Sequence, residues 1–153
     1  MIRLTIFSLI IMLTLAGCGE RTGGPVETAE PAIPEMIIVI DGQEYRTAVG
    51  PYCWQSGNSA VCADKEGDPF AYEESVPPIT GAPGEEATLK FEQPPDSFSV
   101  KVQDEHGRDI SQSGEPILLP GADGKYGYSV TGVWPQGEVT FLFVVRVKPH
   151  SPD

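Results

Sequence analysis

Beyond the first 17 residues, no 12-residue stretch of this chain carries helical periodicity between breakers, because 17 glycines and 15 prolines punctuate its 153 residues. Short β-rich runs separated by turn signals are what remains, and such a chain has to bury its apolar residues between sheets. Residues 36–40 read Met-Ile-Ile-Val-Ile, and Asp41-Gly42 follows, a two-residue turn of the kind that demands positive φ. Residues 43–49 continue with Tyr45, Thr47 and Val49 on one face, which completes a hairpin. Residues 52–54 and 60–63 flank the polar turn Gln55-Ser56-Gly57-Asn58-Ser59 and form a second, smaller hairpin. Residues 64–85 are rich in Asp, Glu, Pro and Gly and read as a long acidic loop.

Alternation resumes at residues 87–92, with Leu89 and Phe91 set against Thr88 and Lys90, and at 97–103, with Phe98, Val100 and Val102 inward. Residues 116–119 read as a short edge strand. Residues 125–134 and 138–148 form the last pair, joined through Pro135-Gln136-Gly137. The final run, Val-Thr-Phe-Leu-Phe-Val-Val-Arg-Val, is apolar on both faces and therefore belongs in the middle of a sheet. The predicted fold is an all-β sandwich over residues 36–148, with a partly open β-barrel as the alternative. Gly124-Lys125-Tyr126-Gly127-Tyr128 resembles the tyrosine corner of immunoglobulin-like sandwiches, with Tyr126 as the corner and Tyr128 as the core residue. The stretch from Ala87 to Lys148 also resembles small uncharacterised lipoproteins of Gram-positive bacteria with an immunoglobulin-like domain, a resemblance that implies a fold and no activity.

The first residues carry a different message. One cation, Arg3, precedes an apolar run from Leu4 to Ala16. The run is shorter than the roughly 20 residues a membrane-spanning helix needs, and it has the layout of a secretory signal peptide. It ends in Leu15-Ala16-Gly17-Cys18, which resembles the lipobox of bacterial lipoproteins in all four positions. The resemblance implies a diacylglycerol on the Cys18 sulfur, cleavage just before it, and an extracytoplasmic chain attached to the membrane through that lipid. Several acyl chains on one residue make such an anchor effectively permanent. Residues 18–35, dominated by Gly, Pro, Thr and Glu, read as the tether, and residues 149–153 as a polar tail. Sixteen tether residues reach about 22 Å as a flexible coil and about 50 Å as extended polyproline.

The whole chain has 10 basic and 22 acidic residues, a net charge of −12. Removing residues 1–17 takes away Arg3 and leaves −13, which argues against nucleic-acid partners and against docking on anionic headgroups. With Cys18 carrying lipid, Cys53 and Cys62 are an even pair in an exported chain, so a disulfide is the expected state. Their spacing is too long for a C-x-x-C redox motif.

Reactive chemistry leaves no signature in these residues. No G-x-S-x-G or S-x-x-K motif occurs, and the two histidines, His106 in a turn and His150 in the tail, have no partner spacing that suits a general base. Asp64-Lys65-Glu66-Gly67-Asp68 starts like a calcium loop, but Pro69 and Ser75 stand where it needs glycine and glutamate. No metal and no cofactor is expected beyond the covalent lipid. Tyr52 and Trp54 share a face beside the proposed disulfide, with Cys53 opposite; core cover is the first reading of the pair and a binding surface its alternative. The reading is a non-enzymatic, membrane-anchored interaction module for an envelope protein, peptide or polymer. The alternatives are an inhibitor or regulator of an exported enzyme and a hydrolase with an unrecognised site.

Overall fold

The computed structural model describes residues 31–110 and 116–148. The expected signal peptide (1–17), the lipidated Cys18, the tether as far as residue 30 and the 149–153 tail lie outside the described residues. Eleven strands form two layers: β1 (Met36–Ile40), β2 (Gln43–Arg46), β3 (Ala48–Ser56), β4 (Ser59–Ala63), β5 (Ile79–Gly81), β6 (Glu86–Phe91), β7 (Ser97–Asp104), β8 (Asp109–Ile110), β9 (Ile117–Leu118), β10 (Gly124–Trp134) and β11 (Gly137–Val147). One sheet has the order β2-β1-β6-β9. The other runs β4-β3-β11-β10-β7-β8, with β5 alongside β11. The sheets do not close on one another, so the fold is the sandwich and not the barrel. Strands β6 and β9 pair in one sheet and β7, β10 and β11 in the other, the division that places strands B and E opposite C, F and G in immunoglobulin domains.

The turns follow their residues. Asp41 and Gly42 have φ of 50° and 71°, a type I′ hairpin between β1 and β2. Gly57, at φ 59°, opens the two-residue turn between β3 and β4. Tyr126 donates its hydroxyl to the Ala122 carbonyl at 3.0 Å, the backbone tie expected of a tyrosine corner.

Strand β11 is central, as its two-faced apolar sequence requires. It pairs along its whole length with β10. On its other side its first half pairs antiparallel with β3 and its last three residues pair parallel with β5. Its inward residues Val139, Phe141, Phe143, Val145 and Val147 join the core between the sheets. Phe91 crosses from the four-stranded sheet to Trp134 and Phe141, with centroids 6.1 Å from each. The opposite face of β11, Leu142 and Val144, is equally buried.

That second face is covered by a segment the sequence presents as loop. Residues 64–85 contain a 310 turn, Pro69–Tyr72, as well as β5. Asp68 caps the turn by accepting the Phe70 amide, and Pro69 and Phe70 sit over Gly127, where a Cβ would come within 3.0–3.1 Å of their rings. Lys125 Nζ holds both Glu73 carboxylate oxygens, at 2.7 and 2.8 Å. The long loop is therefore largely a fitted cover.

Three further boundaries differ from expectation. The chain does not run straight from residue 43 to 49: it leaves the first sheet at Thr47, whose hydroxyl donates to the Met36 carbonyl at 2.8 Å, and enters the second sheet at Ala48. A strand, β8, follows the turn around His106. Packing also begins before residue 36, within the span expected as tether, since Pro34 is buried and Ile33 packs against the core.

Candidate functional site: an open sheet edge

Tyr52 and Trp54 do share a face, but it is the inner one. They are 7% and 6% exposed, and Trp54 meets Trp134 edge to face at 5.6 Å. They are core residues, and the alternative of a binding surface at Tyr52 and Trp54 is corrected. β3 lies inside its sheet, between β11 and β4, and the face opposite Cys53 is the one turned to the core. Cys53 and Cys62 form the expected disulfide, directly across β3 and β4.

Other sequence candidates are absorbed by structure. Glu66 Oε1 accepts the Gly67 and Asp68 amides, and Asp68 Oδ1 accepts the Phe70 amide, so the calcium-like carboxylates serve their own turn. Among the described residues no three His, Cys, Asp or Glu side chains gather as a metal cage. The His106 amide, not its ring, is engaged: with the Arg108 amide it donates to Asp104 Oδ1, at 2.9 Å each. The Arg108 amide, helped by its guanidinium and the His106 amide and opposed by burial, holds the Asp104 carboxyl below the usual carboxylate range. This closes the β7–β8 turn. Cys18 and His150 lie outside the described residues.

A cleft of about 340 Å³ opens between β1, β2 and β5, lined among others by Asp41, Gln43, Tyr45, Glu85 and Lys148. Its polar groups are partly occupied with one another. Tyr45 donates to Gln43 Oε1 at 2.7 Å, and the Ala82 amide donates to Glu85 Oε2 at 2.7 Å. The arrangement brings no nucleophile and base together.

The unusual feature lies at the sheet edges. Exposed edges invite pairing with another chain, and proteins blunt them with charge, proline or short length. Strand β2, Gln-Glu-Tyr-Arg, carries Glu44 and Arg46. Strands β8 and β9 have two residues each. Strand β4 has none of these protections: Ser59-Ala60-Val61-Cys62-Ala63 is five residues long, with no charge and no proline. Residues Ser59 to Cys62 are exposed, and Val61 retains 39% of its surface.

The ladder alternation says which backbone groups are free. The Cys53 and Cys62 Cα atoms stand 4.0 Å apart, the close approach of a non-hydrogen-bonded pair. Ser59, Val61 and Ala63 thus bond to β3, while the N–H and C=O of Ala60 and Cys62 point to the open side. No backbone bond outside the ladders engages Ala60 or Cys62 among the described residues. The disulfide fixes this edge by holding β4 to β3 through side chains as well as ladder bonds. The sequence signal was present, an uncharged β-rich run between a tight turn and an acidic segment, but edge position depends on topology.

No protein family, no curated protein and no solved structure matches this chain.

Proposed function

We propose that this chain is an exported lipoprotein, anchored by diacylglycerol on Cys18, whose sandwich captures another extracytoplasmic protein and performs no chemistry of its own. The observation that carries the reading is the β4 edge, stapled, uncharged and unpaired among the described residues. The Leu15-Ala16-Gly17-Cys18 sequence supports the anchor, and the Gly- and Pro-rich residues after it supply reach. A rigid edge binds with little ordering cost, which suits capture.

The test is site-specific photocrosslinking in intact membranes. A photoreactive residue at position 61 is expected to trap a discrete partner, and the same residue at position 101, on the exposed face of β7, is not. Equal trapping at both positions, or none at 61, refutes the reading. The anchor is tested by fatty-acid labelling, which Cys18→Ala should abolish.

A further inference from the structure

We infer that β4 accepts an added β-strand from its partner, and that this strand alternates aliphatic with basic residues. The inference rests on the interaction reading above and specifies what the edge recognises. Five residues of β4 offer about 17 Å of edge. Ala60 and Cys62 present two donors and two acceptors to it.

The two faces of the incoming strand meet different chemistry. Trp54 pairs with Val61, so Val61 lies on the inner face, where the seven-stranded sheet extends past its four-stranded neighbour. A side chain placed on that face meets Val61 and is aliphatic. The outer face carries the disulfide and a shallow groove of about 200 Å³ whose lining includes Asp64 and Glu138 and no cation. The nearest cation in sequence, Lys65, is turned to the other face, its Nζ 5.4 Å from the Tyr52 ring centroid. A side chain on the outer face stands nearest Asp64, the residue that follows β4, with no cation in the groove beside it, while Glu138, on β11 beyond β3, adds negative potential from farther off; the matching residue is basic. The net charge of −12 attracts such a strand and repels a second copy of the same chain.

The test uses the mature lipidated chain, from Cys18 onward, in detergent micelles and eight-residue synthetic peptides. Alternating Val-Lys should bind, alternating Val-Glu at least ten-fold more weakly, and Val-Lys with N-methylated backbone not detectably. Ala60→Pro removes an outward amide without touching the β3 ladder and should cut Val-Lys binding at least ten-fold with an unchanged melting midpoint. Val61→Lys, a charged edge residue, should do the same and serves if the proline variant is unstable. Equal binding of Val-Glu, undiminished binding to both folded variants, or a concentration-dependent homodimer that both variants abolish would each overturn the inference. If the peptides fail while crosslinking from position 61 persists, the added-strand inference falls alone. If crosslinking fails too, the functional reading falls with it.

Discussion

Tyr128 is fully buried, and its ring stacks on Phe143 with centroids 4.8 Å apart and planes 7° from parallel. Its hydroxyl has no hydrogen-bond partner among the described residues, in contrast to the tied hydroxyl of Tyr126 two positions earlier. Leaving a buried donor unmet costs about 1–3 kcal/mol. Tyr128→Phe keeps the stacked ring and deletes only the oxygen. The void left, roughly 10 Å³, costs about 0.2 kcal/mol at the slope measured for core cavities. The variant should therefore be more stable by about 0.8–2.8 kcal/mol, a rise of roughly 4 °C in melting midpoint per kcal/mol for a domain of this size.

A second readout comes from pH. Burial, with the nearby Tyr126 adding to it, pushes the Tyr128 phenol far above its ordinary value of 10.0. Below that value folded and unfolded chains both hold the proton, and the contribution to stability is constant. As pH rises past about 10, the unfolded chain releases it first, and stability falls by up to about 1.4 kcal/mol per pH unit. Urea unfolding at pH 7 and pH 11 should show the two proteins diverging further at high pH, because the phenylalanine variant lacks this loss. A variant less stable by 1 kcal/mol or more at pH 7, or one whose alkaline loss equals the parent's, would refute the argument.

Two further substitutions test the packing. Gly137 has φ of 147°, and a Cβ there would run into the Cys53 carbonyl, which is backbone and cannot turn aside. Gly137→Ala should cost about 3 kcal/mol or more, read as a lowered urea midpoint. Trp54→Ala, which empties a buried site against Trp134, should cost about 3–5 kcal/mol in the same assay.

Local chemistry made much of this fold legible. Asp41-Gly42 marked its hairpin, the two-faced apolar run marked the central strand, and the even pair Cys53 and Cys62 marked the disulfide. What sequence could not supply was side and partner. Alternation placed Tyr52 and Trp54 together, but the face that meets the core depends on where the second sheet lies. The acidic composition of residues 64–85 concealed Pro69 and Ile79, single apolar anchors too sparse for a periodic signal. The parallel pairing of β5 with β11 joins residues 66 positions apart, from Ile79 to Val145, which no local pattern encodes. The switch at Thr47 was hidden because both halves of residues 43–49 are strand, each in a different sheet. The candidate site was the hardest to see: Ser59 to Ala63 read as the second arm of a hairpin, and only the strand order leaves that arm unpaired among the described residues.

Among the described strands, β11 also comes last along the chain. As the chain is synthesised from its N-terminus, β3, β5 and β10 all appear before the strand that each of them needs. A chain lacking residues 137–147 can form the β1–β2 and β3–β4 hairpins, but its larger sheet has no middle. Assembly must wait for the C-terminal segment and then close long loops at once, which makes it late and slow. Until that moment the larger sheet has no centre, and its strands hold no more than the local pairings of their own hairpins.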